Sequence, residues 1–209
     1  MKSKEEIINR MFELTNLHPL KVRNIYVFGS RVYGTHKEES DYDLLVTACG
    51  LLAHTEIKDP EYNIHIVTPD KFEADLKAHD IHNLECIYAP DWAKVQIKTP
   101  YEDKFKLDLG RLQRYVHNQS FNSWGKGKVN IYDDNTDYGL KSMFHSLRML
   151  MFANQIALHG KIINFSEANY LHKEIFESNE TEWDYFRNKY LPFKVYLENQ
   201  LKTLTGQNN

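Results

Sequence analysis

Residues 24–47, NIYVFGSRVYGTHKEESDYDLLVT, decide the fold. The run 22–28 that leads in is short, apolar and β-branched, which predicts a buried strand. Gly29-Ser30 then turns the chain. A polar excursion through Gly34 follows, and Leu44-Leu45-Val46 continues a second apolar strand. Glycine lets backbone N–H groups approach a phosphate closely, and Ser30 adds a hydroxyl.

The second strand opens on Asp41-Tyr42-Asp43. Carboxylates two residues apart on a strand point to the same side. At roughly 3.3 Å per residue they stand about 7 Å apart, and side-chain rotation lets both reach one hard cation. A site of few carboxylate oxygens suits Mg²⁺, which keeps waters and takes substrate phosphate oxygens as further ligands. A glycine turn next to such a pair serves phosphoryl or nucleotidyl transfer, where catalysis is mostly positioning and charge neutralisation.

The joint pattern resembles the signature of the DNA polymerase β-like nucleotidyltransferase superfamily: Gly-Ser, a nearby Gly, then Asp-x-Asp on the following strand. Gly29, Ser30, Gly34, Ser40, Asp41 and Asp43 match it. It is most similar to the small nucleotidyltransferases of bacteria, phages and large viruses. The resemblance implies an α+β fold, a mixed β-sheet with flanking helices, followed by an α-helical C-terminal region. It implies a nucleoside triphosphate (NTP) as substrate and Mg²⁺ as cofactor, with Mn²⁺ as the alternative. Attack on the α-phosphorus would expel pyrophosphate. Asp41 and Asp43 would be the catalytic and metal-holding residues. Ser30, the Gly29 backbone and the turn through Gly34 would bind the nucleotide. Arg31 is either a bidentate phosphate contact or a solvated turn residue. In such proteins a helical C-terminal region closes over the nucleotide. The segment KSMFHSLRML (residues 141–150) looks like that helix, which would add Lys141, His145 and Arg148 to the nucleotide site.

Active members carry a third carboxylate on a later strand. The matching strand is residues 62–66, and the expected position holds Asn63. Asn63 brings no negative charge and takes no proton. His65 shares its side of the strand and titrates near neutral pH. Glu61, Asp70 and Glu85 are the other residues that could fill the role.

Working outward, residues 4–17 carry apolar positions at helical spacing. Residues 54–58 and 62–67 read as a hairpin around Asp59-Pro60, and Thr68-Pro69-Asp70 as a helix start running to about residue 79. Residues 84–88 fit a short helix or strand. Pro90 and Pro100 bracket a junction, so the expected organisation is a nucleotidyltransferase core over 1–100 and a helical domain over 101–209. In the second half, 105–117, 137–159, 166–177 and 182–204 read as helices. Residues 118–130, NQSFNSWGKGKVN, read as a flexible loop, with Trp124, Lys126 and Lys128 as either an acceptor contact or an anchored surface loop. Arg111 and His117 fit the loose spacing of HEPN ribonucleases, a weaker reading.

The net charge of -3 gives no global push toward nucleic acid or an anionic membrane. Cys49 and Cys86 are too few for a disulfide framework or a zinc site, which fits a reducing compartment. The N-terminus lacks the apolar core of a signal peptide, and no apolar run reaches the roughly 20 residues of a membrane helix. The expectation is a cytoplasmic nucleotidyltransferase that moves an NMP group from an NTP to a hydroxyl on a protein, an RNA end or a small molecule. The alternative, motivated by Asn63, is a nucleotide-binding regulator or antitoxin-like partner with little turnover.

Overall fold

The computed structural model describes residues 2–51 and 53–206. The chain divides into two compact units, residues 1–106 and 107–209. The first is built from α1 (Lys4–Thr15), β1 (Val22–Phe28), α2 (Ser30–Tyr33), β2 (Tyr42–Ala48), β3 (Thr55–Lys58), β4 (Tyr62–Val67), α3 (Pro69–Ala78), α4 (Ile81–Tyr88), β5 (Lys94–Ile97) and α5 (Tyr101–Lys104). The second holds α6 (Leu109–Tyr132), α7 (Thr136–His159), α8 (Asn169–Phe176) and α9 (Trp183–Leu204). This is the α+β architecture expected from the sequence. No helix among the described residues is long and apolar enough to cross a membrane.

The five strands form one mixed sheet in the order β3-β4-β2-β1-β5. β2 runs parallel to β4 and antiparallel to β1. Strand alternation sorts the side chains between two faces. One face carries Ile25, Val27, Leu44, Val46, Ile64 and Ile66, all buried against Ile7 and Met11 of α1. The other face carries Phe28, Asp43, Asn63 and His65. Register puts Asp43 beside both Phe28 and Asn63, and pairs Asn63 with Lys58 and His65 with Glu56.

Local chemistry explains the framing elements. Ser3 and Glu6 close a capping box at α1. Thr68 caps α3 and Pro69 occupies its first turn, as the sequence predicts. The hairpin turn is held by Asp59, whose carboxylate accepts the Glu61 and Tyr62 backbone N–H groups at 2.9 and 2.7 Å and pairs with Arg10 at 2.7 Å.

Two expectations are corrected. Residues 94–97, placed in a junction, form edge strand β5 against β1. Residues 118–130, read as a flexible loop, lie inside the continuous 24-residue helix α6. Of the two glycines in this stretch, Gly127 is there for packing: a Cβ on it would come within 3.1 Å of the Gly139 carbonyl oxygen on α7, and a Cβ on Gly139 within 2.5 Å of Ile131. The two helices touch backbone to backbone, and a buried Ser120–Ser146 hydrogen bond of 2.8 Å crosses the same contact. Residues 84–88 are helical, as part of α4.

Candidate active site

Gly29 leaves β1 at φ 76° and ψ -153°, a conformation essentially confined to glycine. A second requirement acts at the same atom. A Cβ on Gly29 would stand 2.4 Å from Asp43 Oδ2. The turn after β1 and the carboxylate on β2 therefore meet at one point, and only a residue without a side chain leaves room for both. α2 follows as a single turn, ended by Gly34 in the left-handed region, whose N–H donates to the Ser30 carbonyl at 2.9 Å.

Arg31 stacks on the Tyr42 ring with its guanidinium carbon 3.9 Å from the centroid. Its Nε donates to the Asp41 carbonyl at 3.0 Å, and Nη2 donates to the Ser40 carbonyl. These contacts close the excursion of residues 34–41 and fix where Asp41 leaves it. In this geometry Arg31 positions the loop through three of its faces and edges.

Asp43 accepts a hydrogen bond on Oδ1 from Asn63 Nδ2 at 3.2 Å. Burial, and after it the neighbouring Asp41 charge, push its carboxyl up to about 6, while Asn63, Lys58 and Arg31 pull the other way. A carboxylate pair held at this electrostatic disadvantage suits a hard divalent cation, and its all-oxygen donor set fits Mg²⁺. Asp41 and Asp43 are the residues that would hold it. No group of three or more His, Cys, Asp or Glu side chains among the described residues forms a metal cluster.

Next to Asn63 stands His65, its Nε2 3.2 Å from Asn63 Nδ2 and 3.7 Å from Glu56 Oε1. Its ring meets Phe28 and His54 edge-on, both at 5.7 Å between centroids. Burial holds the imidazole below its ordinary range, against the pull of Glu56. Lys58, 3.0 Å from Glu56, is raised by that partner and by Asp41 and Asp43, and it holds Glu56 below the usual carboxylate range. Glu56 and Lys58 are absent from the sequence reading. The hairpin parity could have found them, since pairing β3 antiparallel to β4 puts both beside Asn63 and His65.

Within the first unit, Glu61, Asp70 and Glu85 do not join this cluster. Glu61 is exposed and pairs with Lys2 at 2.8 Å. Asp70 sits exposed in the first turn of α3. Glu85 is buried on α4, where it accepts from the Tyr33 hydroxyl. Lys141, His145 and Arg148 belong to α7 in the second unit. There Lys141 is exposed, and Arg148 Nη2 stands 2.9 Å from His145 Nδ1. Trp124 sits within α6, edge-on to Trp183 at 5.2 Å.

The mixed sheet with its flanking helices and helical C-terminal region matches the nucleotidyltransferase fold. Residues 13–99 match the family model of the nucleotidyltransferase domain, so the first unit is such a domain and the chain a transferase. Among solved structures, the spectinomycin adenyltransferase AAD(9) from Enterococcus faecialis, crystallised with ATP and spectinomycin, aligns over 96% of this chain and 100% of its own, at 15% identity and a TM-score of 0.50. That likeness is one of fold. A nucleotidyltransferase-like protein from Exiguobacterium sibiricum aligns over 97% of this chain and 74% of its own, at 13% identity and a TM-score of 0.36. No curated protein matches the sequence.

Proposed function

We propose that the protein is a Mg²⁺-dependent cytoplasmic enzyme that transfers an NMP group from an NTP to the hydroxyl of a small polar acceptor, releasing pyrophosphate. The observation that carries this reading is the meeting of the Gly29 turn with Asp43 Oδ2, which sets a backbone cradle against a carboxylate pair. The Gly29 N–H and Ser30 hydroxyl receive the β- and γ-phosphates, with Gly34 shaping the turn. Arg31 holds the loop that delivers Asp41. Asp41 and Asp43 would hold the divalent cation, which when bound would supply neutralisation of phosphate charge. A small-molecule acceptor is favoured over a protein or RNA end because the adenyltransferase that spans the whole chain was crystallised with one, and the net charge of -3 does not favour RNA.

The test is incubation with Mg²⁺, each labelled NTP and a panel of polyhydroxylated acceptors that includes aminocyclitols, with pyrophosphate release as readout. Transfer that survives Asp41→Ala and Asp43→Ala would sink the site assignment. Asn63 favours one second reading, a nucleotide-binding regulator with little turnover. Tight NTP binding with no pyrophosphate released for any acceptor would select it.

A further inference from the structure

Asp43 has two oxygens, and the structure gives them different neighbours. Oδ2 faces the Gly29 turn. Oδ1 accepts from Asn63 Nδ2 at 3.2 Å. The same Nδ2 stands 3.2 Å from His65 Nε2. An amide NH₂ only donates, so Nε2 is the accepting nitrogen of His65 and the ring carries its proton on Nδ1. One amide nitrogen therefore stands within hydrogen-bond distance of both a carboxylate and an imidazole. The amide oxygen Oδ1 is buried without a hydrogen-bond partner among the described residues. Asn63 thus holds this orientation although its carbonyl gains nothing from it, which identifies Asp43 and His65 as the pair that set it.

The consequence is electrostatic. In a nucleotidyl-transfer site with three carboxylates, a third anion beside the Asp pair draws a second cation. Here the matching position presents N–H groups, the positive end of the amide dipole, toward Asp43 Oδ1. The amide carries no charge, and its hydrogen bond takes up one of the two lone-pair directions of Asp43 Oδ1. Two carboxylates match one divalent ion in charge.

We propose that this site binds one divalent cation with its nucleotide, not two, and that His65 is a positioning residue that locks the Asn63 amide in the orientation that shuts out the second. The proposal rests on the nucleotidyltransferase reading above. It concerns the number of ions held, which is measurable without turnover.

The experiment counts bound Mn²⁺ by the loss of free-ion paramagnetic resonance signal, using the full chain with an α,β-methylene NTP analogue that cannot be cleaved. The expected result is one Mn²⁺ per chain in the wild type and two in Asn63→Asp, with the second bound at least tenfold more tightly than any further ion on the wild type. Two ions of similar affinity on the wild type overturn the proposal and leave the nucleotidyltransferase reading intact. No analogue and no ion bound overturns both. If Asn63→Asp does not fold, the wild-type count still decides. The role of His65 is read in the side-chain amide resonances of Asn63, assigned by their absence from Asn63→Asp. In the wild type both amide protons should exchange slowly with water. His65→Leu should speed exchange of one by tenfold or more, and unchanged exchange would remove His65 from the proposal.

Discussion

The two faces of the first unit's sheet are written by alternate residues of the same strands, yet they obey different rules. Tyr42, Leu44, Val46, Tyr62, Ile64 and Ile66 point to one side and are all buried against apolar neighbours. Asp43, Asn63 and His65 point to the other and are only partly buried. The first side is apolar along these strands apart from the hydroxyls of Tyr42 and Tyr62. The second collects a glycine-only backbone conformation, a carboxyl pushed up to about 6 and an amide oxygen without a partner. Proteins that break local rules in one confined place do so where they work, and the surrounding packing must hold the strain. The second side buries Tyr26, Leu45 and Val67 as well, so both sides hold the unit together and the polar cluster occupies only part of the second.

The comparison can be broken most sharply at Asp43. Asp43→Asn should lower transfer about a thousandfold, measured by pyrophosphate release, while the melting temperature at pH 7 rises. On the opposite face, Ile64→Ala should cost about 4 kcal/mol of stability in denaturant titration, because Ile64 is fully buried. The fraction that stays folded should keep its rate. Gly29→Ala affects both sides of the comparison. Positive-φ strain and the approach to Asp43 Oδ2 together should remove about 3 kcal/mol of stability, with activity lost even at low temperature where the variant folds.

A smaller effect concerns pH. The Asp43 carboxyl stands at about 6 in the folded chain against an ordinary value of 3.8. The folded state therefore binds this proton more tightly than the unfolded state does. Stability falls as pH rises from about 4 through 6, by about 3 kcal/mol if no cation is present. Urea titrations in a chelator across that window should show the slope, and Asp43→Asn should flatten it. The smallest effect belongs to the hairpin turn. Asp59→Ala removes two backbone hydrogen bonds and a partner of Arg10 at the surface, and should cost about 1 kcal/mol by thermal melting.

Much of this was readable from the chain. The strand–turn–strand with its Asp pair, the hairpin around Asp59-Pro60 and the shared side of Asn63 and His65 all follow from local pattern. What escaped depends on partners distant in sequence. β5 is four residues with a lysine and a glutamine, and only its pairing with β1 makes it a strand. The glycines of 118–130 look like breakers until α7 approaches, when a missing side chain at Gly127 becomes a packing requirement. Arg31 looks in sequence like a phosphate ligand, whereas its donors are turned to the Ser40 and Asp41 carbonyls. Glu56 and Lys58 join the site through register across a turn, which no motif encodes.

Gly29 has one last consequence, a matter of handedness. Its angles of φ 76° and ψ -153° are the mirror image of ordinary extended backbone. What is forbidden to an L-residue there is the comfort zone of a D-residue, whose methyl would leave the backbone on the side away from Asp43. A semisynthetic chain with D-alanine at position 29 should fold, keep its carboxylate in place and lose less freedom on folding than glycine does.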